Sequence, residues 1–244
     1  MQLAVFLLAG RGSRLGDHCA ETHKCLITVN GEPILYRMLD QLDEKKVKRA
    51  VLVVGYLWEE IKKSVGEKWK GIDIEYVVNE DWESTNNIVS LYRAKHHIKE
   101  GFYLIEGDIV VGDGGLDLFS GNENQMAVSR FQPFMDGTVV TIGNNGVEKI
   151  YLKTTAGRPA NQELLYKTVN IYTLTHHDFQ SIILDELARI IESGDTNVYY
   201  EQAFANLVNS GEIRFKVVDF SEIKWAEVDN IDDLHFAEQL FFKE

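Results

Sequence analysis

A doubly wound α/β fold is what this 244-residue sequence predicts, and three observations carry the expectation. Residues 1–80 alternate short apolar runs with segments of helical periodicity, the order that builds a parallel sheet covered by helices on both faces. Leu3-Ala-Val-Phe-Leu-Leu-Ala9 carries no charge, as a strand buried on both faces requires. That run breaks into Gly10-Arg-Gly-Ser-Arg-Leu-Gly16, a glycine-rich loop at the carboxyl end of a first strand, where open α/β sheets bind their ligands.

The remaining elements follow in order. Pro33 opens a helix at its first turn, with Ile34, Leu35, Met38, Leu39 and Leu42 at helical spacing. Ala50 to Val54 is a second strand ending at Gly55, Trp58 to Val65 a helix, and Ile72 to Val78 a third strand. Gly10, Gly55 and Asn79 should therefore share one rim. Asn79 to Ser90 is an amide- and hydroxyl-rich loop entering a helix that runs through Leu91 and Ala94 to Ile98. Phe102 to Ile105 is a fourth buried strand that delivers Glu106-Gly107-Asp108 to the same rim. Asp113 and Asp117 fall in a turn and a short helix, outside the site.

Shorter, alternating strands come next, Met126 to Arg130, Val139 to Gly143 and Val147 to Leu152, with Asn144-Asn145-Gly146 as a hairpin turn. They make the sheet mixed, though mostly parallel. In the strand Tyr166 to Tyr172, alternation puts Lys167, Val169 and Ile171 on one face and Thr168 and Asn170 on the other. Asp178 to Ile191 and Val198 to Val208 have helical periodicity, Phe215 to Phe220 is a strand, and Trp225 to Asp229 is a strand before a capped helix reaching Phe242. No repeat, linker or low-complexity segment interrupts the chain, and one domain over 1–244 is expected.

Composition bounds the function. A net charge of −13 argues against a broad surface that tracks nucleic-acid phosphates, so cations facing anionic ligands must be concentrated locally or supplemented by a metal. Hydrophobic residues make up 45% of the chain, enough for a sizeable core. Cys19 and Cys25 have neither redox nor zinc spacing, which fits reduced thiols, and no run approaches a membrane span, so a soluble, cytoplasmic protein is expected.

The chemistry-bearing residues lie at the predicted rim. Gly10 and Gly12 let backbone N–H groups approach an anion, and Arg14 and Lys24 add positive charge. A tight turn alone would also use the glycines, but it would leave both cations without a purpose. The loop lacks the third glycine of a dinucleotide fingerprint and the Gly-Lys-Ser/Thr of a P-loop. Asp108, at a strand end facing a phosphate site, is a natural Mg²⁺ ligand. Asp229 is either a second carboxylate or a helix cap. The polar groups of Asn79 to Ser90 suit a nucleobase and ribose edge, or simply a capped loop. Lys167, among apolar strand residues, either snorkels or meets an anion. The adjacent pairs His96-His97 and His176-His177 diverge on any periodic structure and make poor zinc ligands.

Leu8-Ala-Gly-Arg-Gly-Ser-Arg-Leu15, followed by Lys24-Cys-Leu-Ile27 and Gly31-Glu-Pro-Ile-Leu35, resembles the signature of the nucleoside-triphosphate transferase family. The resemblance implies a Rossmann-like doubly wound, mostly parallel mixed sheet flanked by helices, of the nucleotide-diphospho-sugar transferase type. It divides the chain into a nucleotide-binding half, 1–112, and an acceptor-binding half, 113–244. Residue by residue it implies that Arg14 and Lys24 are catalytic and that Asp108 and Asp229 hold Mg²⁺. Leu8, Ala9, Gly10, Gly12, Ser13, Asn79, Thr85, Asn86, Asn87 and Ser90 would bind the nucleotide, and Lys167 the acceptor. His23 stands where the family usually has proline, a departure expected to loosen the loop before Lys24.

Asn86-Asn-Ile-Val-Ser-Leu91, Tyr166-Lys-Thr-Val-Asn-Ile-Tyr172 and Tyr199-Tyr-Glu201 resemble the cytidylyltransferase branch that acts on phosphocholine or small phosphonates such as 2-aminoethylphosphonate. The implied partners are CTP and a small phosphonate or phosphorylated alcohol, with neither nucleic acid nor membrane, and a homodimer is compatible with the chain. A sugar-1-phosphate nucleotidylyltransferase and a non-catalytic nucleotide-binding regulator are the alternatives.

Overall fold

The computed structural model describes residues 1–19, 22–153 and 157–242, without the side chains of 17–19. Its centre is a ten-stranded sheet. We label the main strands β1 (Leu3–Leu8), β2 (Arg49–Val54), β3 (Ile72–Val78), β4 (Phe102–Glu106), β5 (Ile109–Val111), β6 (Gln125–Arg130), β7 (Val139–Gly143), β8 (Gly146–Tyr151), β9 (Tyr166–Leu174), β10 (Lys216–Asp219) and β11 (Trp225–Glu227). The helices are α1 (Ile34–Glu44), α2 (Trp58–Val65), α3 (Asn87–Arg93), α4 (Leu184–Glu192), α5 (Glu201–Ser210) and α6 (Ile231–Leu240).

Four strands run parallel in the order β3-β2-β1-β4, so the chain reverses its direction of travel across the sheet between β1 and β4. Loops leaving the carboxyl ends of those two strands diverge there and open a crevice. Beyond β4 the sheet is antiparallel, through β9 to β7 and β8, with β6 also antiparallel to β9, while β10 pairs parallel to β6.

Period-two alternation explains why β1 tolerates no polar residue. Leu3, Val5 and Leu7 enter the core under α3, α4 and α5, while Ala4, Phe6 and Leu8 enter the core under α1 and α2. A third apolar cluster joins Leu15, Ile27 and Val29 of the glycine-loop region to Val110, Val228, Leu234 and Phe241. It ties the start of the chain to α6. Among the described residues, no helix is long and apolar enough to cross a membrane.

Three elements differ from expectation. Pro33 ends a two-residue strand, Glu32–Pro33, and α1 starts after it. The expected helix from Asp178 to Ile191 begins as His176–Asp178, widens into a π-helix over Phe179–Ile183 and becomes α4. In β9, pairing with β6 shifts register between Thr168 and Tyr172, and Asn170 takes φ 59°. That bulge breaks the simple alternation predicted for Lys167.

Candidate active site

The rim forms as the strand order predicts. The Tyr56 amide donates to the Ala9 carbonyl at 3.0 Å and the Asn79 amide to the Val54 carbonyl at 2.8 Å, so the loops after β1, β2 and β3 lie side by side. Gly55 is required by that packing, because a Cβ there would sit 2.8 Å from the Ala9 carbonyl and 2.6 Å from Trp82 Cβ. Leu8 and Ala9 are buried, Gly10, Ser13 and Arg14 are exposed, and Gly12 turns the loop with φ 66°.

At the centre, four charged groups separated by up to 215 positions meet. Lys24 Nζ lies 2.5 Å from Asp108 Oδ2 and 2.6 Å from Asp229 Oδ1, and Arg14 Nη2 lies 3.0 Å from Asp229 Oδ2. Strand pairing accounts for this. β5 and β11 pair antiparallel, with Ile109 opposite Glu227, and the Val228 amide donates to the Asp108 carbonyl at 2.9 Å. The two aspartates just outside that short ladder therefore converge on one point. Helix capping does not claim Asp229, since Asn230 and Asp233 form the capping box of α6.

The electrostatics follow from burial and pairing. Burial works against the Lys24 ammonium, but Asp108 and then Asp229 outweigh it and raise its pKa. Burial likewise works to raise Asp229, yet Lys24, Arg14 and Lys167 hold it below the usual carboxylate range. Asp108 Oδ1 is buried and, among the described residues, has no hydrogen-bond partner. An oxygen left without a partner beside a second carboxylate is what a hard cation would use, with phosphate oxygens completing its shell. Among the described residues, no group of three or more His, Cys, Asp or Glu is arranged to hold a metal ion. A cation here would depend on its substrate for ligands.

His23 does not loosen the loop. The ring is buried, accepts from the Cys25 amide at Nδ1 (3.2 Å) and lies 3.1 Å from the Gly10 carbonyl at Nε2, while its own amide donates to Glu60 at 2.8 Å. It caps the short 3-10 turn Lys24–Leu26 and so fixes where Lys24 begins.

The amide-rich segment is largely occupied with itself. Asn79 Nδ2 donates to Ser90 Oγ (3.1 Å) and Thr85 Oγ1 (3.3 Å), and Asn79 Oδ1 accepts from the Asp81 amide. Asn86 caps α3. Asn87 bridges, its Nδ2 donating to Glu106 at 3.3 Å and its Oδ1 accepting from the Tyr200 amide at 2.9 Å.

Lys167 lies on the side of Asn170, contrary to the alternating pattern. Lys167 Nζ is 3.1 Å from Glu227 Oε2, and Asn170 Nδ2 donates to the other oxygen of the same carboxylate at 3.2 Å. The left-handed backbone of Asn170 turns its side chain back to that face. Beneath them is a buried acidic group that sequence reasoning left out of the site. Glu201 accepts from the Thr138 hydroxyl at 3.0 Å and the Tyr172 hydroxyl at 3.2 Å. Burial, then Asp108, Glu201 and Glu227, push Glu106 well above its ordinary pKa. In the sequence, Glu106 stood at the rim, and Glu201 appeared only within the motif Tyr199-Tyr200-Glu201.

Residues 4–114 match the MobA-like NTP transferase domain. That segment therefore carries a nucleoside-triphosphate transferase domain. It is 33% identical over 242 residues to a CMP-5'-(3-aminopropyl)phosphonate synthase from Streptomyces rubellomurinus, covering 98% of this chain and 38% of that protein. It is 24% identical over 232 residues to a choline-phosphate cytidylyltransferase from Haemophilus influenzae, covering 95% and 94%. The solved structure of a CTP:phosphocholine cytidylyltransferase from Streptococcus pneumoniae superposes with a TM-score of 0.79 at 19% identity, covering 99% of this chain and all of that one. That likeness shows the fold alone. The chain spans less than half the length of the first curated relatives it matches.

Proposed function

We propose that the chain is a Mg²⁺-dependent cytidylyltransferase that transfers CMP from CTP to a small phosphonate, such as 2-aminoethylphosphonate, or to phosphocholine, and releases pyrophosphate. The observation that carries the reading is the meeting of Lys24, Arg14, Asp108 and Asp229 where the loops after β1 and β4 diverge. The names of the aminopropylphosphonate and choline-phosphate relatives support the base and the class of acceptor.

An acceptor oxygen attacks the α-phosphorus, the bond from that phosphorus to the bridging oxygen breaks, and pyrophosphate carries the electron pair away. The acceptor is largely dianionic near neutral pH, with a second pKa of about 6 for a phosphomonoester, so no dedicated base is required. Catalysis is then positioning and charge neutralisation between two anions. Arg14, exposed at the mouth, suits the departing pyrophosphate. Lys24 suits the α-phosphate and incoming oxygen, exchanging carboxylate partners for phosphate ones. Mg²⁺ held by Asp108 and Asp229 would neutralise phosphate charge. Lys167 belongs to the acceptor side, where an arriving phosphonate competes with Glu227 for its ammonium.

The test is pyrophosphate release from each nucleoside triphosphate with Mg²⁺ and a panel of phosphonates, phosphocholine and sugar 1-phosphates. Release with CTP and an aminophosphonate or phosphocholine is the expected result. Release with sugar 1-phosphates alone would replace the reading, and no release with any pair would leave a nucleotide-binding regulator.

A further inference from the structure

We propose that His23 is the residue that positions the phosphate loop, acting through the Gly10–Arg11 peptide and the turn that carries Lys24. Its tautomer follows from its partners. The Cys25 amide must donate, so Nδ1 is a lone pair and Nε2 carries the hydrogen that it gives to the Gly10 carbonyl 3.1 Å away. The chain contains no cis peptide bond among the described residues. In a planar trans peptide the N–H points opposite to the C=O. Holding the Gly10 carbonyl inward therefore turns the Arg11 N–H outward, to the exposed side of the loop where Gly10, Arg11 and Arg14 lie. An outward N–H within a glycine-rich turn is an anion donor, which adds Arg11 to the groups facing a phosphate.

The other end of the ring does a second job. By capping the turn Lys24–Leu26, Nδ1 fixes the stem of the ammonium that reaches Asp108 and Asp229. One neutral imidazole thus sets the separation between the loop's backbone donor and its buried cation. The His23 amide, donating to Glu60 of α2, anchors the ring's own backbone. The inference rests on the loop binding phosphates, as in the proposed function, but requires neither cytidine nor a phosphonate.

Two substitutions separate the two nitrogens. H23N keeps an acceptor near the position of Nδ1 and loses the donor to Gly10, whereas H23Q places an amide N–H near the position of Nε2 and loses the cap. Inorganic tripolyphosphate with Mg²⁺, titrated calorimetrically, reads the loop without base or acceptor, and thermal melting reads the fold. The expected result is tripolyphosphate affinity about tenfold weaker in H23N, which loses the donor to Gly10, and about threefold weaker in H23Q, which keeps that donor and loses the cap, the scale of one lost hydrogen bond to a group that orders a site. Melting temperatures of the two variants should be similar. Undiminished affinity in H23N, or affinity that simply follows melting temperature in both, overturns the proposal, as does a wild-type chain that binds no tripolyphosphate. Tripolyphosphate binding without any nucleotidyl transfer would count against the proposed function alone.

Discussion

Replacing Lys167 by methionine tests how the buried charges around Glu227 are held together. The ammonium is almost wholly buried and, among the described residues, the carboxylate within ion-pair distance is Glu227, itself close enough to Asp108 and Asp229 to be repelled by both. Removing one member of a buried pair costs about 3–5 kcal/mol, because the partner keeps its desolvation penalty and loses its compensation. Glu227 retains 25% side-chain exposure, which favours the lower end. For a chain of this size, each kcal/mol moves the melting temperature by about 2–4 °C, so K167M should melt roughly 6–12 °C below the wild type. The double variant K167M/E227Q removes the stranded charge and should recover most of that loss. Kinetics then separate two roles. If Lys167 also meets the acceptor's anion, the double variant keeps a raised acceptor KM at saturating nucleotide despite its restored stability. A melting temperature for K167M within 2 °C of wild type would refute the pairing argument, and a double variant no more stable than K167M would refute the stranded-charge explanation.

Three further outcomes are expected. Asp108→Asn and Asp229→Asn should each remove most pyrophosphate release while leaving the melting temperature within a few degrees, and undiminished turnover in excess chelator would end the Mg²⁺ proposal. Asn87→Ala leaves the Tyr200 amide without its partner and should destabilise by about 1–3 kcal/mol, read by urea unfolding, whereas Ser90→Ala should chiefly blur discrimination between CTP and UTP if the segment reads the base. His23 should make stability fall on acidification. Burial lowers its pKa from 6.5 to about 4, so its contribution is complete above 6.5 and is lost as pH drops from there towards 4, about 3 kcal/mol in all. H23Q should lack that part of the slope when unfolding free energies at pH 7.5 and 4.5 are compared, and an unchanged slope would contradict it.

The parallel half was legible because its signals are local. Period-two burial wrote β1 as an uncharged run, helical spacing wrote α1 and α2, and Trp58–Val65 and Ile72–Val78 match their expected bounds. The π-helix over Phe179–Ile183 was not legible, since an inserted residue shifts the periodic stripe without changing its composition. The β9 bulge was hidden for a related reason. Strict alternation is assumed until a residue adopts φ above zero, and Asn170 is one of the few types that does so at small cost.

The candidate site was legible in its residues but not in its geometry. Arg14, Lys24, Asp108 and Asp229 stand out because charge at the ends of apolar strands needs a reason. Their juxtaposition depends on a three-residue ladder between β5 and β11, too short to leave a periodic signal and joining positions more than a hundred residues apart. That ladder has a mechanical consequence. Val228 is buried with Leu15 in the cluster that ties α6 to the loop, so Asp229 and Arg14 are set by the same apolar contacts. Lys24 is set mainly by the His23 cap and by Cys25 and Leu26, which pack in the core under α1 and α2, although Ile27 at the end of its turn shares the cluster of Leu15. The exposed cation, Arg14, and the one buried between the carboxylates therefore rest on largely different supports. A substitution that loosens one, such as Leu15→Ala, should displace Arg14 while leaving the Lys24–Asp108 contact in place, so that the two cations can be weakened one at a time.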